Sequence, residues 1–321
     1  MKFSALFDPD EASRIALASA CPENVFCSVA YSRVIDDAGY RLAILADRDS
    51  SGAPAQGCYA VCRFGKLTNT LEIISLPAFR CPEEFSRELE AVCREQRINR
   101  LLIGTFGSPQ GTMLPTIGRD RITRERLEFA LDLTRSDFPA RLSNNHKRNR
   151  NKAIRAGLQV TEVTERGAVD DHLRLMNASI DRRADRGEAI GNESDGAKYG
   201  KFISAGAGSF YQARLGDDVV SSILVLRSEK GAYYHSAGTS PAGMKIGASI
   251  FTIVELAERL REEGCRVLNL GGTDPGQEGL RRFKRGFGTE EILLQSARSY
   301  FGSRLRQRLV AVYHNMRGHA A

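Results

Sequence analysis

Between Asp137 and Glu162 the chain has no acidic residue, while Arg141, Lys147, Arg148, Arg150, Lys152 and Arg155 all fall there, with His146 among them. A stretch of one sign can be a nucleic-acid arm, a linker or one basic helix of a folded enzyme. Other features are missing too. The seven cysteines (Cys21, Cys27, Cys58, Cys62, Cys81, Cys93 and Cys265) are odd in number and contain no CxxC pair. That usage fits reduced core thiols rather than a disulfide framework. The five histidines include no pair at metal-ligand spacing, so no metal site is expected. The opening MKFSALFDPDEASR lacks the apolar core of a signal peptide, and no apolar run is long enough to span a bilayer. The expectation is a cytoplasmic protein, with the inner face of the membrane as the alternative.

What is present is ordinary globular material. The 321 residues are 42% hydrophobic and 26% charged, enough for two domains with sizeable cores. A net charge of +7 points to an anionic partner: nucleic acid, an acidic membrane or a phosphorylated small molecule.

Periodicity gives the elements. Residues 22–39 read as a helix ending at Gly39, followed by strands over 40–47, 58–64 and 70–76. A helix over 82–97 carries Pro82 and two acids in its first turn, and a buried strand follows over 98–106. Residues 125–134 alternate as another strand. The basic stretch is read as a helix over Pro139–Ala156, capped by Ser136 or Asp137 and stopped by Gly157. Then come a strand (158–164), a helix (169–187), an uncertain, partly helical region (193–208) and three strands (209–216, 218–229, 231–240) with tight turns. A strong amphipathic helix (246–264), a strand (265–272), a helix from Asp274 to Gly286, a strand (290–297) and a basic amphipathic helix (300–318) complete the chain. The halves share a coarse order of helix, antiparallel strands, helix and strand, which suggests two similar domains.

Four places can carry chemistry. In SAGTSPAGMKIGAS a strand runs through a glycine-containing turn into a long helix, whose unpaired first N–H groups favour a phosphate. Gly243 and Gly247 would let a pyrophosphate approach the backbone, and Lys245 adds a cation; an ordinary turn is the competing reading. In GLRRFKRGFG, helical spacing puts Leu280, Phe283, Lys284 and Phe287 on one face, with Arg281, Arg282 and Arg285 pointing into solvent. Lys284 thus lies on the apolar side, where an ammonium must be paired or put to use, unless it snorkels past Phe283 to water. Tyr233 and His235 share one face of a strand and Tyr234 takes the other, so His235 is either a general base or a satisfied strand residue. Asp274 reads first as a helix cap before Pro275 and second as a catalytic acid. The stripe of Phe301, Leu305, Leu309, Val312 and Met316, flanked by arginines, packs on a domain or lies on an anionic membrane. There is no GxSxG, no P-loop and no dinucleotide fingerprint.

Taken in order, LSNNHKRNRNKAIRAGLQV, GAYYHSAGTSP, ASIFTIVELAERLREEG and VLNLGGTDPGQEGLRRFKRGFG resemble the C-terminal domain of the FemAB-like branch of the GNAT acyltransferase superfamily. The likeness is good over the last two-thirds and looser over the first. It implies an α/β (α+β) chain of two tandem GNAT-like domains, each a mixed, mostly antiparallel sheet flanked by helices. The expected bounds are 1–137, 138–298 for the donor-binding domain, and a C-terminal helix over 299–321 that returns to the first domain. MKIGAS stands in the place of the superfamily's Q/R-x-x-G-x-G/A pyrophosphate loop, with Gly247 matching and Ala248 within it. Met244 and Ser249 depart from the pattern. RFKRGF looks like the branch's Phe-Lys signature, which makes Lys284 the first choice for an electrostatic role at the reacting carbonyl.

The resemblance implies direct acyl transfer to an amine, with no permanently bound cofactor and with acyl-CoA as the donor. The acceptor is a small-molecule or lipid-linked amine, and Lys147, Arg148 and Arg150 are expected to contact a substrate phosphate. The alternatives are a Fem-type aminoacyltransferase using aminoacyl-tRNA on a peptidoglycan precursor, with peripheral membrane contact, and a nucleic-acid-binding protein without catalysis. Oligomeric state is not legible.

Overall fold

Continuous apolar runs in β2 (Tyr40–Arg48) and β3 (Pro54–Phe64) bury their central positions on both faces of a sheet, and β4 (Asn69–Ile73) beside them alternates. These strands belong to a computed structural model that describes residues 2–36, 39–185, 187 and 196–302. Ahead of them lie β1 (Lys2–Phe7), α1 (Glu11–Ala20) and α2 (Val29–Ile35). After them come α3 (Pro82–Glu95), β5 (Arg100–Gly104), β6 (Arg119–Asp132), α4 (Asn144–Arg155), β7 (Gln159–Val163), α5 (Gly167–Ala184) and α6 (Gly196–Ser204). The chain continues through β8 (Gly208–Leu215), β9 (Asp218–Arg227), β10 (Gly231–Thr239), α7 (Pro241–Ile246), α8 (Ala248–Glu262), β11 (Val267–Thr273), α9 (Glu278–Arg285) and β12 (Glu290–Tyr300). The expected C-terminal helix over 300–318 falls almost wholly outside the described residues.

Two compact units result. Unit 1 holds residues 1–21, 35–126 and 293–321, and unit 2 holds 22–34 and 127–292. They are not the contiguous stretches 1–137 and 138–298 expected from the sequence. The physical reason is strand exchange, because β6 and β12 each contribute to both units and residues 22–34 pack with unit 2.

In unit 1 the strand order is β1-β2-β3-β4-β5-β12, with the first half of β6 next to β12. β4 and β5 are parallel, and the other printed pairs, β1–β2, β2–β3, β3–β4 and β5–β12, are antiparallel. α3 buries Phe85, Leu89, Val92 and Cys93 against Leu71, Ile73, Leu101 and Ile103 on one face of that sheet. β1 and α1 are elements the sequence reading did not assign. α1 is capped by Asp10, which accepts from Ser13 N at 2.9 Å.

In unit 2 the order is β6-β11-β10-β9-β8-β7. β10 and β11 are the parallel pair, linked by α8, which buries Ile250, Ile253, Val254, Leu256, Ala257 and Leu260 against Tyr211, Ile223, Val225 and Leu268. The basic helix is real but starts later than expected. Ser143, not Ser136 or Asp137, caps α4, its Oγ accepting from His146 N at 3.3 Å. Gly157 stops it at φ +74°, as read from the sequence. All seven cysteines are free, and all but Cys81 are buried or half-buried.

Candidate active site

β10 and β11 pair at Gly231↔Val267, Ala232↔Leu268 and Tyr233↔Asn269, and no further. Beyond that point β10 stays with β9 as far as Thr239↔Ser221, while β11 stays with β6 as far as Thr273↔Leu127. The two parallel strands therefore part, and the sheet opens between them. Each strand carries a register shift at the parting, at Tyr234/Ser236 in β10 and at Asn269/Gly272 in β11. Bulges bend and twist a strand, which is what a parting requires. Gly271 takes φ +72° there, its N–H held by Asn269 Oδ1 at 2.7 Å.

A buried polar cluster lines the opening. Glu128 of β6 is fully buried, accepting from Tyr233 OH at 2.7 Å and from Asn269 Nδ2 at 3.0 Å. Lys284 of α9 is 5% exposed, as its place on the apolar face predicted, and its Nζ donates to Gly272 O at 2.8 Å. A methyl group placed on Gly271 would lie 3.8 Å from Lys284 Nζ, 3.7 Å from Tyr233 OH and 3.2 Å from Tyr234 O. An ammonium and a hydroxyl oxygen thus converge on one small space at the mouth of the strands. Glu128 and Asn269 were not singled out in the sequence. In LEFAL, Glu128 falls on the polar side of an alternating strand and so reads as solvent-facing; only the pairing of β6 with β11 buries it.

The other sequence-selected residues divide. His235 is half-buried against Phe202, with ring centroids 4.8 Å apart, and burial and the charge of Lys198 push its pKa down to about 4. It is neutral at pH 7 but has little affinity for a proton. Asp274 does not cap a helix, because α9 begins at Glu278; Asp274 N donates to Gln277 Oε1 at 3.1 Å in the preceding turn. Leu280 is 40% exposed rather than packed, while Arg281 and Arg285 both grip Glu291 instead of standing free in solvent. Those guanidiniums hold the Glu291 carboxyl below its usual range.

The turn before α8 behaves differently from the expectation. Ser240 caps α7, its Oγ accepting from Gly243 N at 3.1 Å, and Gly247 takes φ +77° between the two helices. A Cβ on Gly243 would meet Val220 O at 2.5 Å, and one on Gly247 would meet Asn149 Cβ and O at 2.8 Å. The glycines make room for the chain's own backbone at these points. Ala248 is buried, Ser249 half-buried and Lys245 exposed.

On α4, Lys147 and Arg148 are exposed and form no ion pair among the described residues. Arg150 is spoken for, bonding Glu258 of α8 at 3.3 Å. His146 is the anchor of this helix. Its Nε2 lies 2.9 Å from Phe283 O and its Nδ1 3.1 Å from Ser143 Oγ, and the ring packs on Phe287. Burial pushes its pKa down, so the neutral ring donates to the carbonyl through one nitrogen and accepts from the hydroxyl through the other. The basic stretch is therefore a structural helix of unit 2 that ties α4 to α9, the helix carrying Lys284. No group of three or more His, Cys, Asp or Glu among the described residues could hold a metal.

A parallel pair thus parts beyond a crossover helix, with a buried lysine at the opening. Residues 140–285 match the model of the acetyltransferase (GNAT) domain. This part of the chain is similar to that domain. Its fold is similar to the crystal structure of FemX at 10% identity, TM-score 0.69, over 97% of this chain and 99% of that one. It is also similar to L-PGS from Bacillus licheniformis (12%, TM-score 0.54, covering 94% and 96%) and to a tandem GNAT protein from the clavulanic acid biosynthesis pathway (14%, TM-score 0.51, covering 94% and 100%). No curated protein matches the sequence. At these identities the likeness is one of fold, a tandem GNAT fold.

Proposed function

We propose that the opening between β10 and β11 is where this GNAT acyltransferase joins an acyl group to an amine, taking the acyl group from the thioester of an acyl-CoA. The observation that carries this is the convergence of Lys284 Nζ and Tyr233 OH on the space above Gly271. A carbonyl oxygen placed there would meet the Lys284 cation as it gains negative charge, while the Tyr233 oxygen, its proton given to Glu128, is left to face the amine. Donors already fixed in a site of low dielectric stabilise such an oxyanion without reorganising.

The amine nitrogen attacks the thioester carbon, the C–N bond forms and the C–S bond breaks. The proton lost by the amine passes to Tyr233 as Tyr233 hands its own to Glu128, 2.7 Å away, and returns to the departing thiolate. This path is preferred to His235, whose low basicity makes it a poor acceptor. Asp274, displaced from its expected cap, has no part in it.

The phosphates of the donor are assigned to the first turn of α8, at Ala248 and Ser249, with Lys245, Lys147 and Arg148 as the nearby exposed cations. Arg150, already paired, is dropped from this group. A second reading, aminoacyl transfer from tRNA to a lipid-linked or peptidoglycan-type amine, is favoured by one observation. The space at Gly243 and Gly247, expected for a pyrophosphate, is taken by Val220 and Asn149.

The test compares thermal unfolding and turnover with acetyl-CoA and with aminoacyl-tRNA at matched ionic strength. A concentration-dependent rise in melting temperature with acetyl-CoA, and turnover that Lys284→Met abolishes, is the expected result. Turnover with tRNA alone would replace the donor, and full activity of Lys284→Met would overturn the site.

A further inference from the structure

Unit 1 repeats the strand scheme of unit 2 with one difference. Its parallel pair β4–β5 is linked by α3, as β10–β11 is by α8. Past Ile73↔Ile103, however, the strands stay joined, with Phe106 N bonding Ile74 O at 3.2 Å and Leu76 N bonding Gly104 O at 2.9 Å. Unit 1 therefore has no counterpart of the opening at Gly271. It has instead a cavity of about 380 Å³ on the sheet face turned away from α3.

Alternation along the strands decides what lines this cavity. Leu71, Ile73, Leu101 and Ile103 face α3, so Ile74, Arg100 and Leu102 face the other way, joined by Ile122 and Arg124 of β6 and Arg298 of β12. The floor is apolar and the rim is cationic. The one carboxylate in the lining, Glu72, is engaged by Arg63.

Arg100 and Arg298 are half-buried, and the Nε of each is buried with no hydrogen-bond partner among the described residues. Arg100 pairs in register with Tyr300, and Arg298 with Leu102. The two guanidinium stems therefore spring from a diagonal of the ladder, roughly 7–8 Å apart. Both guanidiniums line the one cavity, so an anion that enters it meets two cations whose stems are fixed by the sheet.

We propose that this cavity binds a phosphate-bearing small molecule, with Arg100 and Arg298 gripping the phosphate or diphosphate and Ile74, Leu102 and Ile122 holding the attached apolar or ring portion. Guanidinium forks suit phosphate oxygens, and the volume lies at the lower end of the ~300–1,000 Å³ usual for ligand pockets. A concave site favours a molecule that enters it over a flat bilayer. The inference does not rest on acyl transfer and stands or falls separately from it.

The experiment is calorimetric titration of the full chain with inorganic pyrophosphate at fixed ionic strength, with phosphatidylglycerol and phosphatidylcholine vesicles as a second arm. A saturable component is expected that Arg100→Gln and Arg298→Gln each weaken at least tenfold and that persists in Lys284→Met and in Lys147→Gln with Arg148→Gln, where any binding at the first turn of α8 is lost. Leu102→Trp, which fills the floor and leaves both arginines in place, should also block it, with circular dichroism reporting that each variant folds. Binding to phosphatidylglycerol vesicles that Arg298→Gln removes would support the same site with a lipid headgroup as the source of phosphate. Absence of saturable binding in both arms overturns the proposal. So does pyrophosphate binding that survives Arg298→Gln and Leu102→Trp but is lost with Lys147 and Arg148.

Discussion

Tyr233 on β10 donates its hydroxyl to Glu128 on β6 at 2.7 Å, although 105 residues separate them. The bond places a buried carboxylate directly behind a hydroxyl that faces the parting of β10 and β11. Removing the hydroxyl with Tyr233→Phe leaves Glu128 with a lost donor in a site closed to water. The expected cost is about 1–3 kcal/mol of stability and roughly a hundredfold or more in turnover if the proton passes this way. Chemical denaturation and steady-state rates check the two separately, and an unchanged kcat would remove Tyr233 from the proton path.

Lys284 is predicted to act on rate rather than on fold. Lys284→Met keeps most of the volume and removes the charge, so the expected result is a fall in kcat of about 10²–10³ with the far-ultraviolet circular dichroism unchanged. Lys284→Ala would confuse this by adding a cavity. A variant with a normal rate would mean that the buried ammonium is structural, as in its bond to Gly272 O.

His146 ties α4 to α9 through Phe283 O at 2.9 Å. His146→Phe retains the ring packing on Phe287 and deletes both polar contacts, leaving Ser143 Oγ and Phe283 O to find water. The prediction is a loss of about 1–3 kcal/mol, with faster proteolysis in the α4 segment than in the wild type. If the mutant resists protease as well as the wild type, the basic helix is held by something else.

Acid should destabilise unit 2 in a defined window. His172 is fully buried between Ser222 Oγ at 3.0 Å and Ser236 Oγ at 2.9 Å, and burial, then the nearby His235, pushes its pKa down to about 3. His235 sits at about 4. In the unfolded chain both titrate near ~6.5. The unfolded state therefore binds protons first as pH falls, and stability present above about 6.5 is lost progressively toward pH 4 and then 3. Denaturant midpoints between pH 7 and 4 should fall, and His172→Gln should flatten that slope; an equal slope in the variant would contradict the assignment.

The sequence by itself determined most of the elements and the burial of Lys284. A 3.6-residue period puts Lys284 among Phe283 and Phe287 whatever α9 packs against, so its burial was legible. Stops at Gly157 and Gly286, and the strand runs of β8 to β10, were legible for the same reason: caps and periodicity are local. The tertiary structure decided what depends on neighbours far away in the chain. Glu128 looks exposed on β6 until β11 pairs with it, and Arg150 looks free until α8 brings Glu258 to it. That Gly243 and Gly247 leave no room for a Cβ beside Val220 and Asn149 is likewise set by distant chain. Strand order is set by long-range pairing that no period encodes, so the exchange of β6 and β12 and the parting of β10 from β11 belong to the fold alone.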